Sequence, residues 1–345
     1  MDLTIRPLTL RLREPLRTAY GEVRRRELLI VRLEAGSECG IGEAAPLAPY
    51  DGVALEDVRA ELEGCRGLVA ELGPPASPED RTALLAAVRG ACMLPQAAAA
   101  LDVAVWDLAA KRAGRPVAAL LHRDPLSRVA VNATIGADTP PAARAAAAAA
   151  AERGAGCIKV KAGTGDDEPR VAAARAGAGP DVAIRLDANG AWPVDGAEAA
   201  LARLAPFGIE ICEEPVSGLA AFRALAGRTS GIPVAMDETA ADPGALASGA
   251  SAFVCLKLSR SGGISGLLED ARAARAAGSR VYLASTLDGP VGIAAAVHAA
   301  AAIRPDAPSG LATLGLFTGL DDPFPPQAGT IGVPSGPGLG ADRPG

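Results

Sequence analysis

Charged residues recur in this chain just where short apolar runs end. Lys159-Val160-Lys161 comes first, followed by Asp187-Ala188-Asn189, Glu213-Glu214-Pro215, Asp237-Glu238 and Lys257. The steps from Lys161 to Asp187, Glu213, Asp237 and Lys257 are 26, 26, 24 and 20 residues. Lys159 and Lys161 lie two apart, so on a strand they share a face. Like-charge repulsion is expected to lower both ammonium pKa values and make one a usable base near neutral pH. Asp187, Glu213 and Asp237 would repel one another if they converged without compensation. A hard divalent cation resolves that repulsion, and oxygen-only ligands suit Mg²⁺, with Mn²⁺ as the alternative. Any one Asp at a strand end could instead cap a helix. Three carboxylates in register, bracketed by lysines, are poorly explained by capping. A lysine on each side of a metal-held substrate suits removal of a proton next to a carboxylate, with positive charge stabilising the enediolate.

Such residues must be delivered by parallel strands. The apolar runs before them are Cys157-Ile158, Ala183-Ile184-Arg185-Leu186, Ile209-Glu210-Ile211-Cys212, Ile232-Pro233-Val234-Ala235-Met236 and Ala252-Phe253-Val254-Cys255-Leu256. Each interval holds one strand, one helix and two loops. Residues 129–135 predict a first strand, 280–285 a seventh, and 310–313 a short eighth. Eight strand–helix units favour a closed (β/α) barrel with its active site at the C-terminal strand ends. Strands two and six are then opposite, which sets Lys257 across from the Lys159/Lys161 pair. Before the barrel, Leu28-Leu29-Ile30-Val31-Arg32-Leu33 reads as a strand, and Cys39-Gly40-Ile41-Gly42-Glu43 as its return after a turn at Gly36. Helical patterns cover 55–70 and 78–114, and Pro95-Gln96 opens a long apolar helix that stops at Gly114 before Pro116. The organisation predicted is an α+β domain over 1–122, the barrel over 123–315, and a Gly/Pro-rich tail, 316–345, packing back on the first domain. On the residues alone, the irregular stretches around Tyr20 and Tyr50 are ordinary connections.

Composition narrows the function classes. The chain has 345 residues, 49% hydrophobic and only 3% aromatic, so aliphatic side chains and alanine must fill a large core. Its 34 Lys plus Arg against 40 Asp plus Glu argue against a nucleic-acid partner. The six cysteines form no Cys-x-x-Cys pair, and Cys157, Cys212 and Cys255 sit in predicted strands as small core residues. The charged N-terminus does not read as a signal peptide, and the alanine run 145–151 is too short to span a membrane. The expectation is a reduced, cytoplasmic enzyme with a small-molecule partner and no membrane contact.

The order Lys-x-Lys, Asp-x-Asn, Glu-Glu-Pro, Asp-Glu, Lys resembles the enolase superfamily, and within it the muconate-lactonizing branch. The helix Ala99-Ala100-Leu101-Asp102-Val103-Ala104-Val105-Trp106-Asp107-Leu108-Ala109-Ala110-Lys111, followed by Gly114-Arg115-Pro116-Val117, is similar too. The resemblance spans nearly the whole chain. It implies a modified TIM barrel of the (β/α)7β type under an N-terminal α+β capping domain, usually assembled as a homo-oligomer. It makes Asp187, Glu213 and Asp237 the Mg²⁺ ligands, Lys161 the base and Lys159 its electrostatic neighbour. Lys257 becomes the opposite acid/base, or a fixed cation over the substrate. Asn189 and Glu238 would stand behind these groups, with Glu238 holding Lys257. Tyr20 and Tyr50 then fall on cap loops that close over a small carboxylate substrate, with Ser285, Thr286 and Asp288 on the barrel side. A catalytic His on a late strand, as in the mandelate-racemase branch, is absent, and His298 reads as structural. Pro305-Asp306-Ala307-Pro308-Ser309-Gly310-Leu311-Ala312-Thr313-Leu314 resembles the eighth-strand segment of o-succinylbenzoate synthases, which dehydrate their substrate for menaquinone synthesis. Ser285-Thr286-Leu287-Asp288-Gly289-Pro290-Val291-Gly292 departs from the Ser-x-Glu-Ser-type segment of those synthases. N-succinylamino acid racemase, muconate cycloisomerase and dipeptide epimerase are the alternatives, although Leu311-Ala312-Thr313 lacks the Asp-x-Asp with which dipeptide epimerases hold an ammonium group. A non-catalytic binding protein on this fold would be marked by a lost ligand or lysine, and none is lost.

Overall fold

The computed structural model describes residues 1–18, 21–136, 139–165 and 167–341, with the backbone alone at Arg17 and Thr18. Strands β1 (Asp2–Thr18), β2 (Gly21–Ala35) and β3 (Glu38–Ala44) form an antiparallel sheet. Helices α1 (Ala48–Asp51), α2 (Leu55–Gly64), α3 (Arg66–Glu71), α4 (Pro78–Ala91) and α5 (Pro95–Arg112) follow. Helix α5 is buried nearly all round, as expected of a helix apolar on every face apart from the buried Gln96, Asp102 and Asp107. It lies so close to β3 that a Cβ on Gly40 or Gly42 would overlap the carbonyl oxygens of Ala104 and Ala100. Asp107 in α5 accepts from the Ile41 and Leu339 N–H groups, both at 2.8 Å, and pairs with Lys111. One buried carboxylate thus ties together the N-terminal sheet, its central helix and the tail.

After α6 (Val117–Leu121) and β4 (Arg128–Ala130) comes the barrel. Its strands are β5 (Ala133–Ile135), β6 (Cys157–Lys161), β7 (Ala183–Asp187), β8 (Ile209–Glu213), β9 (Val234–Met236), β10 (Phe253–Leu256) and β11 (Arg280–Leu283), all parallel and in chain order round the sheet. The helices between are α7 (Pro140–Glu152), α8 (Asp167–Ala178), α9 (Val194–Leu204), α10 (Leu219–Leu225) and α11 (Ile264–Ala276). Helix α12 (Pro290–Ile303) follows β11. This is the modified (β/α) barrel under an N-terminal sheet-and-helix cap that the sequence predicts.

Three details differ from the sequence reading. The interval from Asp237 to Lys257 holds no α-helix, only a 3-10 turn over Glu238–Ala241, so one strand–helix unit lacks its helix. The run 129–135 is not one strand. Its first part, β4, pairs antiparallel with β13 (Thr330–Gly332) from the tail, and only β5 enters the barrel. The chain changes partner at Val131 and Asn132. The eighth element is also not a strand. Ser309 and Gly310 alone bridge to Val131 and Ala284, closing the ring between β5 and β11. Pro308 has no N–H to donate, which limits the ladder at this point. The tail packs back through β12 (Phe317–Thr318), which pairs with Leu12 and Arg11 of β1. Among the described residues no helix is long and apolar enough to cross a membrane.

His298 lies fully buried in α12. Its Nδ1 accepts from the Ala118 N–H at 3.1 Å, and Nε2 faces the Leu339 carbonyl at 3.2 Å. An imidazolium would lose the first bond, and burial pushes the group down to about 4. The unfolded chain therefore takes up a proton near pH 6.5 that the folded protein refuses until about pH 4. Stability is present in full above the unfolded value and is lost as pH falls through this window, by about 3 kcal/mol. Urea unfolding of wild type and His298→Gln at pH 7, 5 and 4 should show a flatter acid slope for the variant. Identical slopes would refute this account.

Candidate active site

Parallel pairing fixes the layout of the site. In register, Lys161 sits beside Asp187, and Asp187 beside Glu213. Asp237 follows β9 directly and Lys257 follows β10 directly. Five neighbouring strand ends therefore present, in order, lysine, aspartate, glutamate, aspartate and lysine. The Lys161 ammonium donates to Asp187 Oδ2 and Asn189 Oδ1, both at 2.7 Å. Lys159 bridges Asp187 at 2.9 Å and Glu213 at 3.1 Å. Lys257 donates to Asp237 Oδ2 at 2.6 Å.

These contacts decide the electrostatics. Burial alone would lower the Lys159 and Lys257 ammonium groups. Asp187 and Glu213 hold Lys159 above its ordinary value instead, and Asp237 does the same for Lys257. The expected lowering of Lys159 by its lysine neighbour is therefore overturned, because two carboxylates at contact distance outweigh one like charge. Against its own burial, Asp187 is held well below the carboxylate range by Lys159 and Lys161. Glu213 is raised by burial and by the nearby charges of Asp187 and Asp237.

The donor set fits a hard divalent cation. Oxygens of Glu213 and Asp237 lie within 4.8 Å of each other and of the Cys255 sulfur, and Asp187 shares the Lys159 ammonium with Glu213. Burial and the carboxylates of Asp237 and Glu213 push the Cys255 thiol far up, so it stays protonated. A hard cation prefers carboxylate oxygens such as those of Glu213 and Asp237 to the neutral sulfur.

Comparison with known proteins agrees with the site. Residues 142–343 match the enolase C-terminal domain-like family, and residues 1–122 match the N-terminal domain of mandelate racemase / muconate lactonizing enzymes. The chain belongs to the enolase superfamily. Within it, the branch is that of mandelate racemase and muconate lactonizing enzyme. A hydrophobic dipeptide epimerase from Roseobacter litoralis is 31% identical over 305 residues, covering 86% of each protein. A chloromuconate cycloisomerase from Pseudomonas putida is 29% identical over 357 residues, covering 95% of this chain and 92% of that one. The substrate-liganded L-Ala-D/L-Glu epimerase from Bacillus subtilis superposes with a TM-score of 0.88 at 26% identity, covering 99% of both chains. These relatives favour the epimerase and cycloisomerase alternatives over the synthase that the 305–314 segment suggested. The chain is an enolase-superfamily enzyme with a divalent-metal site, acting on a carboxylate through enediolate chemistry.

Around this superfamily site the structure places the remaining sequence candidates unevenly. A cavity of about 690 Å³ opens over the row, lined by Lys159, Lys161, Asp187, Asn189, Asp237 and Lys257, and also by Tyr50, Ser285 and Thr286. Tyr50 lies in α1, and its hydroxyl accepts from Lys257 at 2.6 Å and donates to Asp237 Oδ1 at 3.0 Å. The Lys257 ammonium also sits 4.2 Å from the Tyr50 ring centre. Tyr20 lies outside the described residues. Ser285 pairs with Thr313 at 2.9 Å. Asp288 does not line the cavity; it is buried behind the wall and accepts from Thr286 at 2.6 Å. Glu238 accepts from Asn189 at 3.0 Å, whereas Lys257 is held by Asp237 and Tyr50. Glu238, expected to hold Lys257, acts on it through its charge, while Asp237 and Tyr50 make the hydrogen bonds to its ammonium group.

Sequence reasoning missed three supporting residues. Glu214, at φ 42°, accepts from the Asp237 N–H at 2.7 Å and from both Thr239 donors, which fixes the turn carrying Asp237. Its place in Glu-Glu-Pro was the available signal. Arg260 donates to the Tyr50 hydroxyl at 2.8 Å and to the Glu238 carbonyl. Tyr282 donates from inside the barrel to Glu213 Oε2 at 2.7 Å, with the Arg185 guanidinium 4.2 Å from its ring centre. Nothing in the local sequence of Arg260 or Tyr282 announces these contacts.

Proposed function

We propose that this enzyme moves a proton at the carbon next to a substrate carboxylate, with Asp187, Glu213 and Asp237 holding Mg²⁺, for which Mn²⁺ can substitute. The observation that carries the reading is the order round the ring: a lysine at each end of a row of three carboxylates. When bound, the cation supplies positive charge to the substrate carboxylate as it becomes an enediolate. Lys161 takes the proton, and Asp187 and Asn189 aim its Nζ. Lys159 remains charged as a fixed cation between Asp187 and Glu213. Lys257 faces the opposite side of the substrate, and Tyr50 helps to exclude water above it.

Two acid/base lysines on opposite faces support racemisation or epimerisation, in which the proton leaves one face and returns to the other. The barrel wall at Leu311, Ala312 and Thr313 carries no carboxylate to receive an ammonium group. That favours a substrate whose nitrogen is acylated, such as an N-succinylamino acid, over a free dipeptide. A second reading, syn dehydration by an o-succinylbenzoate synthase, is supported by an asymmetry. The Lys161 side chain is 26% exposed, whereas Lys257 is 8% exposed and tied to Asp237 and Tyr50. A syn elimination uses Lys161 for proton transfer and needs Lys257 only as a charge.

The test is a panel of N-succinylamino acids, dipeptides, muconate and the synthase substrate, each incubated in deuterated water. Deuterium at the α-carbon of recovered succinylamino acid, with inversion, is the expected result. Dehydration of the synthase substrate alone would select the second reading. If the fully metallated enzyme exchanges and turns over nothing in the panel, both readings fail.

A further inference from the structure

Glu43 is the penultimate residue of β3 in the cap, yet its carboxylate is buried against the first turn of α12 in the barrel. Oε1 accepts from the Gly289 N–H at 2.6 Å, whereas Oε2 is buried without a hydrogen-bond partner among the described residues. Both glycines are required by this fit. A Cβ on Gly289 would lie 2.6 Å from Glu43 Oε2, and one on Gly292 would lie 2.7 Å from Oε1. Arg26 of β2, also buried, reaches the same segment. Its Nε donates to the Leu287 carbonyl at 3.2 Å, and its other nitrogens hold the carbonyls of Pro46 and Ala45. Leu287 takes a left-handed φ of 59°, a conformation that a branched side chain adopts only when its surroundings impose it. The held segment, Ser285, Thr286 and Leu287, is one wall of the cavity.

We propose that Glu43 and Arg26 are positioning residues: they clamp the loop between β11 and α12 from the cap side, and so set the wall that meets the non-reacting part of the substrate. The clamp rests on contacts in this structure. Only its effect on substrate choice rests on the function proposed above. The clamp joins residues 246 apart in sequence, so cap docking and pocket shape are one event. It also gives a reason for a carboxylate at this site. The N-terminus of a helix of 14 residues presents free N–H groups and the positive end of its dipole, and Glu43 meets both. Burial beside Asp288 pushes the Glu43 carboxyl up to about 7, so glutamine is a close mimic of it at neutral pH.

Amide hydrogen exchange on the full chain tests the clamp without any substrate. In Glu43→Ala, the amides within 285–292 (all but Pro290, which has none) should exchange at least about tenfold faster, while core strand amides keep their protection. Glu43→Gln, which keeps an acceptor for Gly289, should stay within about threefold of wild type. Gly292→Ala supplies an independent arm should Glu43→Ala fold poorly. Alanine is the better helix former, so helix propensity alone predicts a higher Tm. The clamp predicts a lower Tm and faster loop exchange, because the new methyl would lie 2.7 Å from Glu43 Oε1 and 2.8 Å from Asp288 Cβ, and so pushes the clamp and the loop apart. Unchanged exchange at 285–292 in both Glu43→Ala and Gly292→Ala would overturn the proposal. A second readout uses whichever panel carboxylate the wild type turns over. Glu43→Ala should raise KM about tenfold with kcat changed by less than about threefold. Faster exchange with KM unchanged would overturn the effect on substrate choice. If the wild type turns over none of the panel, it is the proposed function that fails, and the exchange arms still decide the clamp.

Discussion

Lys161→Ala should cut the α-proton exchange rate by about four orders of magnitude, the upper range for removing a general base. The loss should fall on kcat with little change in KM, because the Lys161 side chain acts on the reacting proton. Two neighbours already shape this group: Asp187 and Asn189 each hold its Nζ at 2.7 Å. The partner lysine separates the candidate reactions. Lys257→Arg keeps the charge beside Asp237 but gives a much poorer acid/base. A racemase loses its activity in that variant, while a syn dehydration survives at a measurable rate. Single-turnover exchange in deuterated water distinguishes these outcomes. Wild-type exchange in Lys161→Ala would sink the mechanism, whatever the substrate.

Glu213→Gln should remove the stabilisation that Mg²⁺ gives the folded protein. A ligand that binds only the folded state at one hundred times its Kd stabilises by about 2.7 kcal/mol, visible as a rise in Tm on adding the metal. Glu213 is the middle carboxylate of the row, and Tyr282 holds one of its oxygens. Gln keeps the shape and an acceptor but loses the charge. Without metal, the variant should be as stable as wild type or more so, because burial and two neighbouring carboxylates penalise the Glu213 charge. With saturating Mg²⁺ only the wild type should gain, and α-proton exchange should vanish from the variant. Thermal melts of both proteins with and without Mg²⁺ read the effect directly, and an equal Tm gain in both would remove Glu213 from the metal set. This readout does not depend on knowing the substrate.

The sequence alone determined the row of charges. Strand-end positions recur at one strand–helix spacing, and period two puts Lys159 and Lys161 on one face, so Asp187, Glu213, Asp237 and Lys257 were legible before any coordinates. Both facts are largely local: from Lys161 to Asp237 they follow from how far one strand and one helix carry the chain, while the step to Lys257 is made by a 3-10 turn and loop. Tertiary structure decided what surrounds that row. Residues 129–135 carry one continuous β pattern, yet the chain divides it between the tail and the barrel. Ser309 and Gly310 close the ring with two bridges, because ring closure is set by the curl of the whole sheet. Lys257 is held by Tyr50, 207 positions away, and Glu43 reaches Gly289 across 246. The resemblance placed Asp288 at the pocket, yet it lies buried behind the wall, next to Leu287 with its left-handed φ. Periodicity says which face a side chain leaves from. It does not say what the cap, folded elsewhere in the chain, will bring to meet it.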